Sequence, residues 1–370
     1  MMNTLRYPAH FDTTPNNVVV DANTIHFLRL TGAAAALLLL LPLCIFVRTD
    51  TNTIATLSGT VTDINRNVSA ALKNCGPAIL TSEEVIEKIT SNIVAIMRKQ
   101  HPCQQDLGDD EDFESLEESS EYDWLVIDTA LDVVIGLAAA LGPTFATLWK
   151  VFEKPVMKFA ASSEDTERST SVGVIAEASN CMGAAVAPFT TSLLKLLLHR
   201  LSDPDPEVKS NAAFAIGLLC SKTASTPAAA EVTRAYPQIL QKLEPLLHQS
   251  EARLIDNSAG CVSRMITAHA EAVPIADVLP VLVDILPLSE DYDENEPVWG
   301  MIMELYRSGD ETVKSLTPAI VKALGKMLGG PEGQLSETRM AQVKDLVPWL
   351  HEHVPQVVEQ EDVLMRIVRG

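Results

Sequence analysis

LLKLLLHRLSDPDPEVKSNAAFAIGLLC, Leu193 to Cys220, reads as a helix, a turn and a second helix. The first helix carries a leucine-rich face that ends at Leu201. Asp203-Pro204-Asp205-Pro206 then stops it, because proline has no N–H to donate and its ring disfavours helical backbone in the residue before it. Asp205 is placed to cap the next helix, and Pro206 takes the first helical position, where a missing N–H loses nothing. From there Val208, Ala212, Ala215, Ile216 and Leu219 form one apolar stripe, which is stable only if a neighbouring helix covers it.

The covering neighbours are legible as copies of the same unit. TERSTSVGVIAE, from Thr166, places Arg168 against Lys209 at an offset of 41, and ARLIDNSAGCVSRM, from Ala252, places Asn257 against Asn211 at an offset of 46. A weaker copy begins at EPVWGMIMELY, Glu296 to Tyr306. Unequal periods of about 40–47 residues, each holding two helices, are the mark of HEAT or armadillo arrays. The expectation is an all-α HEAT-repeat solenoid over 53–370, an α-α superhelix of about seven antiparallel helix pairs. The pairs are 54–74 with 82–101, 123–141 with 143–161, 164–182 with 185–201, 206–222 with 227–249, 251–270 with 275–287, 295–308 with 311–328, and 334–352 with a last helix near 355–368. Such a stack has a concave wall, the default binding surface of solenoids.

Composition agrees with stacked helices: aromatic residues make up only 5% of the 370-residue chain. The net charge of −21 repels phosphate backbones, arguing against direct nucleic-acid binding and for basic partners. Six scattered cysteines with no CxxC pair read as reduced thiols of a cytosolic or nuclear protein; only Cys103 has a nearby histidine, His101, too few groups for a metal site. Residues 1–52 differ in kind. GAAAALLLLLPLCIFV, residues 32–47, is flanked by Arg29 and Arg48 and falls short of the ~20 apolar residues a bilayer span needs. It can be read as a membrane anchor, as a signal peptide with too long a charged region, or as a misassigned first exon; the last is expected, since nothing downstream looks extracellular.

The acidic segment DLGDDEDFESLEESSEYD, Asp106 to Asp123, interrupts the repeats. Asp106, Asp109, Asp110, Glu111, Asp112, Glu114, Glu117, Glu118 and Glu121 stand in it with no basic residue. A block of like charges repels itself, so 106–122 is expected to be a disordered or weakly ordered loop, either a solvated linker or an electrostatic lure for a Lys- and Arg-rich ligand. Asp109, Asp110 and Asp112 lack the glycine and closing glutamate of a calcium loop.

No P-loop, GxSxG, HExxH or strand-linked GxGxxG motif is present, and neither an enzyme nor a cofactor or metal site is expected. His351-Glu352-His353 holds two imidazoles on different helix faces. Thr81-Ser82-Glu83-Glu84 has the spacing of a capping box, with Thr81 as the cap and Glu84 reaching back. Trp124, Trp149, Trp299 and Trp349 fall inside predicted helices and are expected to pack in the core.

Four stretches carry a resemblance: DPDPEVKSNAAFAIGLL (Asp203 to Leu219), RLIDNSAGCVSRMI (Arg253 to Ile266), PLSEDYDENEPVWGMI (Pro287 to Ile302), and the acidic block with DWLVIDTALDVVIGLAAALG (Asp123 to Gly142). Together, over about residues 53–360, the chain resembles the C-terminal part of the karyopherin-β (importin-β) family of nuclear transport receptors. The resemblance implies a receptor shuttling between cytoplasm and nucleus that carries basic cargo, such as ribosomal proteins or histones, past nuclear pore proteins under control of the GTPase Ran. Asp203, Val208 and Lys209 stand where that family has the polar residues that pair between repeats; Ile255 replaces the basic one, so an incomplete ladder is expected. The Ran-contacting N-terminal repeats and the run at 32–47 have no match between chain and family. The alternative is a HEAT-repeat scaffold or adaptor of a multiprotein complex, anchored to a membrane if residues 32–47 span one.

Overall fold

Asp205 caps the decisive helix as its position requires: its side chain accepts from the Val208 N–H at 2.8 Å, and Pro206 opens the helix. The computed structural model describes residues 51–80, 82–104 and 113–369. The chain divides into two units, Met1–Thr49 and Asp50–Gly370, and the described residues belong to the second. The acidic residues Asp106, Asp109, Asp110, Glu111 and Asp112 and the apolar run 32–47 lie outside them.

The described helices are α1 (Thr51–Cys75), α2 (Glu83–Met97), α3 (Phe113–Leu141), α4 (Ala146–Phe159), α5 (Asp165–Met182), α6 (Thr190–Arg200), α7 (Pro206–Thr223), α8 (Ala229–Leu243), α9 (Ala252–His269), α10 (Ile275–Asp284), α11 (Asn295–Ser308), α12 (Glu311–Ser315), α13 (Thr317–Leu328), α14 (Glu337–His353), α15 (Pro355–Val358) and α16 (Asp362–Arg369). The long pieces match the helices expected from sequence, and the array is an all-α solenoid. Two expected helices are divided. Residues 311–328 break at Leu316, before Thr317-Pro318, and 355–368 break after Val358.

Two rows of helices result. α1, α3, α5, α7, α9 and α11 pack in succession with close backbone approach, and α14 continues the row. Small residues permit this: an added Cβ on Gly136 would meet Leu72 at 3.1 Å, and one on Gly217 would lie 2.9 Å from the Cα of Cys261. The other row lacks such close backbone approach and buries large apolar groups, among them Trp149 and Phe152 on α4, Leu193 and Leu197 on α6, and Tyr236 and Ile239 on α8. In a bent stack the row whose backbones come closest lies on the inside of the bend, so the α1–α11 row forms the inner wall.

Two local expectations are corrected. The cap of α2 is Ser82, whose hydroxyl accepts from the Val85 N–H, and Glu84 pairs forward with Lys88 at 2.7 Å rather than reaching back. The acidic block is not a loop throughout, since α3 starts at Phe113 and takes in Glu114, Glu117, Glu118 and Glu121. No Gly or Pro stands between Phe113 and Gly136. Glutamate is a good helix former and complements the dipole at a helix N-terminus, which outweighs repulsion between neighbours.

Candidate binding surface on the inner wall

Side chains on the inner wall form an inter-repeat polar ladder. The Asn211 amide donates to the Ser169 carbonyl and hydroxyl, both at 3.1 Å, and one repeat on the Asn257 amide donates to the Ser210 hydroxyl at 2.9 Å. The repetition of one contact fixes the 41- and 46-residue offsets read from sequence. Nearer the N-terminus Asn65 donates to Thr129 and Ser69 to the Asp132 carbonyl.

At the turns the ladder becomes ionic. Arg168 makes a two-pronged contact with Asp203, 3.0 Å from Nε and 2.9 Å from Nη2, and Arg200 reaches the same carboxylate at 2.8 Å. Burial alone would raise the Asp203 pKa, but hydrogen bonds from Arg168 and the Asp205 N–H, with the charges of Arg168 and Arg200, outweigh it and hold the carboxyl below its ordinary value. Ile255 does break the pattern, as expected. Its neighbour Asp256 compensates by accepting from the backbone N–H groups of Ser289, Glu290 and Asp291, joining α9 to the next turn. Arg264 adds a second tie: it grips Glu294 with both terminal nitrogens, in the space left by Gly260, and lies 5.3 Å from the Phe214 ring. Burial drives the Glu294 pKa up, and Arg264 opposes that without reversing it.

Acidic groups collect on the N-terminal half of this wall. Asp128 and Asp132 are one turn apart on α3; burial first, then the neighbouring charge of Asp132, raises the Asp128 pKa. Glu177 on α5 is raised by burial, with Lys73 lowering it and Asp293 raising it further. Asp132 has Lys73 at 3.8 Å, and Asp123 has Lys99 at 2.7 Å. Residues 114, 118, 121, 128 and 132 follow at intervals of three, four and seven, the spacing of one helical face. The acidic segment is thus continuous in sequence with acidic positions on the inner wall. α3, at 29 residues, is also about 16 Å longer than the 18-residue α5. Its extra length precedes Asp123.

Other flagged residues take structural places. Trp149 and Trp299 are fully buried and Trp124 lies 6.0 Å from Phe159. Trp349 departs from the core expectation, at 38% exposure, stacked on His353 at 4.0 Å and edge-on to Tyr306. The His353 Nδ1 lies 2.8 Å from the Trp349 carbonyl, while His351 lies 3.7 Å from Glu359. His101 and Cys103, both buried, touch, Nδ1 to Sγ at 3.0 Å. Cys75, Cys181, Cys220 and Cys261 are free thiols.

These features define a helical-repeat binding protein, and the HEAT repeat family profile matches residues 193–223, which pairs α6 with α7 as one repeat. The chain belongs to the importin-β (karyopherin) family: it is 36% identical over 280 residues, 70% of its length, to probable importin subunit beta-4 of Schizosaccharomyces pombe, and 30% identical over 264 residues, 70% of its length, to importin-4 of Homo sapiens. It spans 25% and 24% of those proteins. In fold it matches crystal structures of Kap121p. The complex with RanGTP aligns over 89% of this chain and 30% of that one (TM-score 0.59, 14% identity), and the complex with Pho4p over 91% and 30% (TM-score 0.58, 17% identity).

Proposed function

We propose that the chain is the cargo-holding part of a nuclear import receptor, and that it binds basic proteins, such as ribosomal proteins or histones, for passage between cytoplasm and nucleus. The observation that carries this reading is the run of acidic positions from the 106–122 segment along α3 to Asp128 and Asp132 on the inner wall, in a chain of net charge −21. Asp106, Asp109, Asp110, Glu111, Asp112, Glu114, Glu117, Glu118 and Glu121 supply the long-range attraction that would steer a cationic segment onto the wall. The relationship to importin-4 supports the same reading, as do the Kap121p structures with RanGTP, Pho4p and Nup53p, which make Ran and nuclear pore proteins the further partners proposed for a full-length receptor. The chain works by binding, and no catalytic step is assigned to it.

Fluorescence anisotropy with a labelled histone-tail peptide tests this. Binding should be measurable at about 50 mM salt and weaken steeply by about 300 mM, where screening shortens the reach of surface charge. Replacing the nine acidic residues with Asn and Gln should reduce affinity at least ~tenfold. No binding at the lower salt overturns the proposal; unchanged binding in the neutralised variant points instead to a scaffold whose partners do not use the acidic segment.

A further inference from the structure

Against a strongly acidic chain, one recess is cationic. It has a volume of about 510 Å³ and lies between the α6–α7 turn and the end of α8, with Lys209, Lys242, Gln238, Gln241, Gln249 and Asp203 in its lining. Asp203 contributes no free charge there, because Arg168, Arg200 and the Asp205 N–H already occupy its carboxylate. Lys242 leans across the recess to the Ser202 hydroxyl.

The ladder explains what this recess lacks. Arg168, in the fourth position of α5, finds its carboxylate on the following turn, at Asp203, three residues ahead of the α7 start. Lys209 holds the fourth position of α7, and the residue three ahead of the α9 start is Gln249. Gln249 is neutral, and among the described residues Lys209 makes no ion pair within 4.0 Å. The same place in the preceding repeat therefore shows which group fits: a carboxylate within reach of a cation on the inner row. Here the cation is present, a second lysine stands beside it, the glutamine amides offer further N–H donors, and the carboxylate is missing.

We propose that this recess binds a carboxylate side chain from an acidic segment of a partner protein, with Lys209 and Lys242 as the anchoring cations and the site of Gln249 as the position the carboxylate takes. The preference is opposite to that of the acidic wall, so the two surfaces select different partners. The probe is a fluorescein-labelled peptide of about twelve residues alternating Glu and Ser, titrated with the full chain at about 50 mM salt. Wild type should bind it. Gln249→Asp, which supplies an internal carboxylate, and Lys209→Gln, which removes the cation, should each weaken binding at least ~tenfold, or about 1.4 kcal/mol. Gln249→Asp should also raise Tm while leaving histone-tail binding unchanged, so that failure here is distinct from failure of the cargo reading. Absence of wild-type binding, or equal affinity in wild type and Lys209→Gln, overturns the proposal. Should Gln249→Asp misfold by circular dichroism, the Lys209→Gln comparison decides alone.

Discussion

Along α5, α7 and α9 neighbouring helices meet through Gly, Ala, Ser and Asn, with polar side chains bonded across each gap. Along α4, α6 and α8 the buried groups are Trp, Phe, Leu, Ile and Tyr, and the links between helices are part-buried or exposed ones, such as Ser192 to Glu153 and Thr191 to Glu231. The inner wall is therefore specified by contacts that tolerate almost no change of volume or charge. The outer wall is specified by apolar area, which resists sliding far less because area burial is non-directional. Curvature and register of the stack accordingly belong to the inner row.

Removing a charge from the inner row should do the most damage. Arg168 and Asp203 have side chains only 7% and 2% exposed, and Arg168→Ala would leave the carboxylate with Arg200 and the Asp205 N–H. Loss of one partner from a buried pair destabilises by about 3–5 kcal/mol. Urea denaturation should show that loss, whereas Arg253→Ala should stay within about 1 kcal/mol of wild type, because Arg253 is 47% exposed and its two acidic neighbours are each 3.9 Å away. Equal effects at the two arginines would mean that the ladder does not carry the wall.

Next in size are the glycines, which separate close approach from mere helical position. Gly217→Ala pushes a methyl to 2.9 Å from the Cα of Cys261, a backbone atom that cannot turn aside, and overpacking of this kind costs about 1–3 kcal/mol. Gly173→Ala meets only the Asn211 amide at 3.8 Å, an ordinary contact. It should stabilise by about 0.5–1 kcal/mol, since alanine holds helical backbone better than glycine. Thermal melts of the two variants should shift in opposite directions.

How far this contrast could be read from sequence depends on range. Asp205-Pro206 and the apolar stripe of α7 are local signals, and they gave the central repeat and its neighbours with nearly the observed bounds. The Asp203 ladder was legible because its pairing is a property of the family; its partner Arg168 stands 35 residues away. Asp256 and the Arg264–Glu294 grip were not legible, because they depend on which turn folds back onto α9, a fact no periodicity contains. The helical start at Phe113 is masked for the opposite reason, since the net charge of FESLEESSEYD hides its local helix propensity. Gln249 opposite Lys209 was visible in principle: applying the 46-residue offset to Asp203 leads to it directly.

The smallest effect, that of Glu177, stands against Asp203, an acid of a different kind on the same wall. Asp203 is held below the ordinary carboxylate pKa, so the stability it contributes is present above the unfolded value of about 3.9 and is lost as pH falls through the folded one. Glu177 is raised, chiefly by burial, so the folded chain binds its proton more tightly than the unfolded chain does. The sign then reverses: ionised Glu177 opposes folding at neutral pH, and that opposition fades as pH falls through its folded pKa. Glu177→Gln should consequently raise Tm slightly at pH 7, with the gain shrinking toward about pH 4, while Asp203→Asn should lower Tm at pH 7, with the loss shrinking over a lower and later range. Parallel pH profiles for the two variants would mean that ionic pairing and burial do not divide this wall as the geometry requires. A gain at Glu177→Gln set against a loss at Asp203→Asn would show that α5 carries the Glu177 charge at a stability penalty, the arrangement a surface reserved for a cationic ligand would have.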